Sequence, residues 1–218
     1  GGVGLDTGVA RLATLSDGTV IENPKPLKRN LERLRRLQRR LSRTEKRSRG
    51  RAKARLQVAR VHYKVAEGRR DAHFQAASRL VRDYDLIAVE DLDYKALQGG
   101  MLSRQFADAS PGNFLRRLGH KAEGAGVRIV PVDAWGTSIN CSGCGTAVPK
   151  DLSERWHNCP RCDLVLDRDI NAARNILARG LSGIPQELRE VTPVEMGGPW
   201  PTSTAGQVPV HESGSPVR

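Results

Sequence analysis

Residues 4–18 read GLDTGVARLATLSDG: a strand carrying Asp6, a second strand, and the hairpin turn Ser16-Asp17-Gly18 leading into Thr19-Val20-Ile21. An aspartate followed two places on by glycine, in a strand entering a hairpin, has four readings. Leu-Asp-Thr-Gly is how the catalytic aspartate of a pepsin-like protease reads. The same pattern carries metal in RNase H-type nucleases and sits beside phosphate in actin- and hexokinase-like ATPases. It also serves as a plain polar turn. So short a motif does not choose among them; the remainder of the chain has to.

At 218 residues, 38% hydrophobic and 4% aromatic, the chain has room for one sizeable domain and a small one around a modest aliphatic core. Its formal charge of +12 is concentrated in one place. Between Leu27 and Arg60 fall fifteen Lys/Arg and two acids, Glu32 and Glu45, so the rest of the chain is close to neutral. A segment this one-sided calls for a polyanion. Nucleic acid fits better than a membrane, because the stretch lacks a Trp/Phe-rich apolar face. Arg35, Arg36, Arg39, Arg40 and Arg43 are the candidate phosphate contacts. No apolar window approaches a membrane span and no signal peptide opens the chain, so a cytoplasmic setting with reduced thiols is expected. There is no initiator Met, and the first residues already lie in the strand of Asp6; the expectation is a piece of something longer.

After Pro24 and Pro26, leucines recur at Leu31, Leu34, Leu37 and Leu41, a helical stripe among arginines. Ser48-Arg49-Gly50 interrupts it. A second helix over 51–83 is expected to use Leu56, Ala59, Tyr63, Ala66, Phe74, Ala77 and Leu80 as its apolar positions, making 27–83 a long basic helical hairpin. Leu86-Ile87-Ala88-Val89 reads as a buried strand ending at Glu90, and Gly99-Gly100 as loop. Phe114, Leu115 and Leu118 mark a helix over 112–123, and Val127–Val132 another strand. Strands alternating with helices after an opening hairpin predict an α/β fold with a mixed sheet. From residue 181 the chain holds six of its twelve prolines and is expected to be disordered.

All four cysteines sit in two knuckles, Cys141-Ser-Gly-Cys144 and Cys159-Pro-Arg-Cys162, fourteen residues apart. Four thiolates at this spacing can close a tetrahedral shell around one zinc ion. A closed shell leaves no open coordination position, so this zinc is structural, and His157 is a spare. Three acids stand out by context: Asp6 on the opening strand, Glu90 at a strand end, and Asp169 in DRDINAARNIL, where a helix begins. Strand-end carboxylates from distant parts of a chain can hold two Mg²⁺ ions for in-line phosphodiester hydrolysis. Taken singly, each acid has a plainer role: a turn, a strand-end charge, a helix N-cap.

The order strand-Asp, basic hairpin, strand-Glu, zinc ribbon, helix-Asp resembles the TnpB (OrfB) family of transposon-encoded RNA-guided nucleases, akin to miniature type V CRISPR effectors. The resemblance runs over about 3–177. It rests on GLDTG, IAVEDL, the run from Thr137 to Gly145, CPRC, and DRDINAARNI. It implies an RNase H-like (RuvC) fold with the zinc ribbon inserted before the last catalytic Asp. It also implies Mg²⁺-dependent (or Mn²⁺-dependent) cleavage of DNA chosen by a bound guide RNA. Carried over by residue, Asp6, Glu90 and Asp169 are the catalytic, Mg-holding carboxylates, and Cys141, Cys144, Cys159 and Cys162 bind zinc. The implied organisation is a nuclease core over 1–136, the ribbon over 137–166, a final catalytic helix over 167–180 and a tail over 181–218. Ile139 stands where Gln is common and Asp163 where Gly is usual, and the family's N-terminal guide- and target-reading half is expected to be absent.

A pepsin-like protease would need a second Asp-Thr-Gly, and none occurs; an actin-like ATPase would want further glycine-rich phosphate loops, and none is convincing. The standing rival is a nucleic-acid-binding remnant that keeps zinc and basic surface without cutting. Helical spacing separates Asp169 from Asp167. From Asp169 the shared face is Ala172, Ala173 and Ile176, suited to packing on a sheet. From Asp167 it is Ile170, Asn171 and Arg174, expected to meet solvent or nucleic acid.

Overall fold

The computed structural model describes residues 1–94, 103–151 and 153–183. The opening stretch follows its alternation. In β1 (Gly2–Thr7), Val3 and Leu5 are buried on one face of the sheet, while Gly4 and Asp6 belong to the other. β2 (Arg11–Leu15) pairs with β1 antiparallel, and β3 (Val20–Glu22) returns through the expected turn. There Gly18 takes φ 92° and the Asp17 carboxylate accepts the Thr19 N–H. β4 (Leu86–Glu90) runs parallel to β1, and β5 (Arg128–Val132) parallel to β4. The order β3-β2-β1-β4-β5 makes the sheet mixed, as expected.

Between β3 and β4 stand α1 (Pro26–Ser42) and α2 (Arg49–Asp83), packed together as a hairpin. The Ser48 hydroxyl caps α2 by accepting the Arg51 N–H at 3.1 Å. α1 has no such local cap. Its first N–H groups, on Leu27 and Lys28, are bound at 2.8 and 2.9 Å by the carboxylate of Asp108, near the end of α3 (Ser103–Ala109).

The expected apolar stripe of α2 is corrected. Of its seven positions only Ala77 and Leu80 are buried; Leu56, Tyr63 and Phe74 are 53%, 67% and 50% exposed. The buried residues are Ala54, Val61, Val65, His73, Ala76, Ala77 and Leu80. Small and β-branched side chains let neighbouring helices approach closely, whereas Leu56 and Tyr63 in the same seam would hold them apart.

Two layers of helix enclose the sheet. On one face, Ala76, Ala77 and Leu80 of α2 join Phe114 and Leu118 of α4 (Pro111–Ala125) over Val3, Leu5, Ile87 and Val89. On the other, α5 (Arg168–Ser182) lies at backbone contact. A Cβ on Gly4 would stand 1.9 Å from the Ala173 carbonyl oxygen, and one on Gly180 2.5 Å from Ala88 Cβ. Glycine at both positions is what lets the helix descend. Ala172, Ala173 and Ile176 are buried there, as the spacing from Asp169 implied. Between β5 and α5 the chain forms a small lobe with its own antiparallel pair, β6 (Trp156–Asn158) and β7 (Val165–Asp167). The Gly99-Gly100 loop and the tail from 184 onward fall outside the described residues, whereas 181 and 182 continue α5. Among the described residues no helix is long and apolar enough to cross a membrane.

Candidate carboxylate centre and four-cysteine site

Leu5 pairs with Val89 across β1 and β4, so Asp6 and Glu90 are the next residues along two neighbouring parallel strands. They fall on the face that α5 covers, and Asp169 lies in the first turn of that helix. The three acids share one electrostatic field. Burial holds the Asp6 carboxyl well above its usual range, and the charges of Glu90 and Asp169 push it further. Glu90 is also raised by burial, against which the Thr137 hydroxyl and the Arg179 charge work. The energy of such a set falls when a cation arrives, and hard carboxylate oxygens are the donors that Mg²⁺ and Mn²⁺ prefer. The donor chemistry therefore fits a divalent ion, although among the described residues the acids are not drawn into a cluster as tight as the cysteines.

Asp169 is ringed by guanidinium groups. Arg11 Nη1 and Arg155 Nη1 each stand 3.9 Å from its Oδ2, and Arg168 Nε 3.6 Å from its Oδ1. The N-cap of α5 is Asp167, not Asp169: Asp167 Oδ1 accepts the Asp169 N–H at 2.8 Å, and its Oδ2 receives Arg11 Nη1 at 3.0 Å. The plainer role foreseen for Asp169 thus belongs to its neighbour. The face next to Asp167 is corrected as well. Asn171 does not meet solvent; it is fully buried, because both ends of its amide are hydrogen-bonded to the backbone of the cysteine lobe.

The four cysteine sulfurs lie within 4.8 Å of one another, with Cys141–Cys162 at 3.6 Å and Cys144–Cys159 at 3.5 Å. A tetrahedral zinc ion with Zn–S bonds of about 2.3 Å would set sulfurs ~3.8 Å apart, so the thiols fit that ion with little movement. Each knuckle turns through a left-handed residue, Gly145 at φ 75° and Asp163 at φ 56°. Asp tolerates this region better than most residues, which explains how Asp163 serves in place of Gly. His157 is buried beside Lys150 and stands outside the cluster.

Arg35, Arg36, Arg39, Arg40 and Arg43 are all exposed, and the last four line one shallow groove with Thr44 at the end of α1. Around the acids the structure adds residues that sequence reading passed over. Thr137 donates to Glu90. The Tyr94 hydroxyl is 2.8 Å from Thr7 Oγ1, and burial, with Glu90 and Asp6 nearby, pushes its pKa up to about 12. Arg11 belongs to the quoted opening stretch, but nothing local to it points 156 residues ahead to Asp167.

Two family models match the chain: OrfB_IS605, described as "Probable transposase", over residues 2–100, and the Cas12f1-like TNB domain over 112–176. A Streptomyces pristinaespiralis protein, named as a candidate RNA-guided DNA endonuclease, is 42% identical over 183 residues, which is 83% of this chain and 45% of that protein. InsQ of Escherichia coli, named in the same way, is 35% identical over 195 residues, 82% of this chain and 48% of InsQ. The chain spans about half the length of the curated relatives it matches. Among solved structures, the protein of a Cas12f1–sgRNA–target DNA complex aligns with a TM-score of 0.57 and 16% identity, over 80% of this chain and 49% of that one. A CRISPR–Cas12f ternary complex gives 0.58 and 19%, over 80% and 38%. At such identities the likeness is one of fold.

Proposed function

This chain belongs to the OrfB (TnpB) transposase family, and on that premise we propose that it is the nuclease part of an RNA-guided DNA endonuclease. Residues 1–136 and 167–180 then form one RNase H-like (RuvC) core, with the zinc ribbon over 137–166 inserted. The observation that carries the reading is the side-by-side placement of Asp6 and Glu90 at parallel strand ends, with Asp169 in the same field.

Asp6, Glu90 and Asp169 would hold two Mg²⁺ or Mn²⁺ ions, which when bound supply an activated water and neutralise charge on the scissile phosphate. Asp6 and Glu90 stand on paired backbone, so the sheet fixes their spacing, while Asp169 approaches from α5. Cys141, Cys144, Cys159 and Cys162 hold one structural zinc. The exposed arginines of α1 bind the phosphates of target DNA or guide RNA, a sequence-independent contact.

Nicking of single-stranded DNA tests this, with Asp6→Ala as control. Mg²⁺ or Mn²⁺ should support cleavage and Ca²⁺ should not, because calcium prefers looser, higher coordination. Cleavage that survives Asp6→Ala would remove the assignment. Salt-dependent binding with no cleavage in any metal would leave a nucleic-acid-binding chain that does not cut.

A further inference from the structure

The loop that carries the first two cysteines also reaches the carboxylate centre. Thr137, 3% exposed, lies four residues before Cys141; its hydroxyl is 2.5 Å from Glu90 Oε1 and 3.0 Å from the Ala134 carbonyl oxygen. A hydroxyl has one proton to donate. The carboxylate is both nearer and the stronger acceptor, so the proton is directed to Glu90, at a distance usual for a charge-assisted bond. That bond ties down one oxygen of Glu90 and leaves the other for a cation. It also favours the ionised form that a cation needs, against the burial that opposes it.

The hydroxyl is held in place from α5. Asn175 Nδ2 donates to the carbonyls of Thr137 and Asn140 at 2.8 and 2.7 Å. Asn171 Nδ2 donates to the same Asn140 carbonyl at 2.8 Å, and its Oδ1 accepts the N–H of Ser142, between Cys141 and Cys144, at 2.8 Å. None of these bonds is required to gather four thiols around an ion. They fasten the cysteine loop to the helix that bears Asp169, at a separation set by two rigid amides. A bare structural staple could hang from the sheet by its two connections; this one is clamped so that Thr137 meets Glu90.

We propose that Thr137 is a positioning residue for Glu90, and that the four-cysteine loop, clamped by Asn171 and Asn175, sets the placement of its hydroxyl. The proposal rests on the reading of Glu90 as a divalent-cation ligand. Hydrogen-bond partners of metal ligands typically contribute ten- to a hundredfold in metal affinity.

The test uses the whole chain without nucleic acid. Mn²⁺ affinity is read from the free-ion electron spin resonance signal, and zinc content by metal analysis. Thr137→Val, which keeps shape and loses the proton, should weaken Mn²⁺ binding by about tenfold with zinc retained, and Thr137→Ser should restore it. Asn175→Ala leaves every ligand and the hydroxyl in place and should weaken Mn²⁺ several-fold; this arm decides alone if the valine variant does not fold. Unchanged Mn²⁺ affinity in zinc-loaded Thr137→Val or, failing that, Asn175→Ala overturns the proposal. Unchanged affinity in Glu90→Gln instead removes the reading of Glu90 as a ligand, so the two failures are distinguishable.

Discussion

Asp6, next to last in β1, and Glu90, the last residue of β4, each stand one residue beyond the Leu5–Val89 pair, so two carboxylates lie on neighbouring parallel strands where the sheet meets α5. The carboxyl groups of both are raised, Asp6 well above its ordinary value. A carboxyl whose pKa is higher folded than unfolded binds more protons in the folded chain between the two values. Its ionisation therefore erodes stability as pH rises through the folded value. With divalent cations chelated, Asp6→Asn should melt above the wild type at neutral pH, and the gap should close toward about pH 4. Added Mg²⁺ should raise the wild type and leave the variant unmoved. An offset of equal size at every pH would show that Asp6 ionisation is not the cause.

On the proposed reading the two aspartates at the start of α5 have separable roles: Asp167 caps the helix, and Asp169 holds metal. Asp169→Asn should abolish nicking with little change in melting temperature. Asp167→Asn should keep most activity, because Asn caps a helix about as well as Asp, while Asp167→Ala should cost about 1 kcal/mol of stability. A nicking assay in which Asp167→Asn is dead and Asp169→Asn active would reverse the assignment.

On the proposed reading, replacing one of the four cysteines opens the tetrahedral zinc shell. Cys144→Ser or Cys159→Ser should lose zinc and loosen the lobe, seen as faster amide exchange around Asn140–Thr146. Stoichiometric zinc retained in either variant, measured by metal analysis, would remove the four-cysteine assignment.

The arginines of α1 should act through phosphate alone. Changing Arg35, Arg36, Arg39 and Arg40 to Ala should weaken binding to many sequences alike. It should also flatten the salt dependence by up to ~0.9 in log–log slope for each duplex phosphate left without its arginine. A variant with altered sequence preference and an unaltered slope would mean that these side chains read bases.

What was legible in the chain was local. Val3 and Leu5 alternate with Gly4 and Asp6 in the printed order, and the knuckle spacing announces a four-thiol cluster. The misreadings came from partners that no local pattern contains. α2 carries apolar residues on more than one side, and periodicity alone could not say that Val61 and Val65 meet a partner while Tyr63 does not. Asn171 looked like a surface residue because its hydrogen-bonding partners, Asn140 and Ser142, lie some thirty positions earlier. Asp108 caps a helix eighty residues upstream, a relationship that only the folded chain reveals.

The backbone contact between Gly4 and Ala173 has a kinetic side. It joins the first strand to the last described helix across the whole intervening chain, and contacts so remote carry the largest loop-closure cost and form late. Strands β1 and β4 need only the hairpin between them and can pair early. On the proposed reading, a growing chain thus holds two of its three acids ready while the third is still unmade. The power to cut then arrives only with the docking of α5, and the direction of synthesis itself guards against a half-built nuclease.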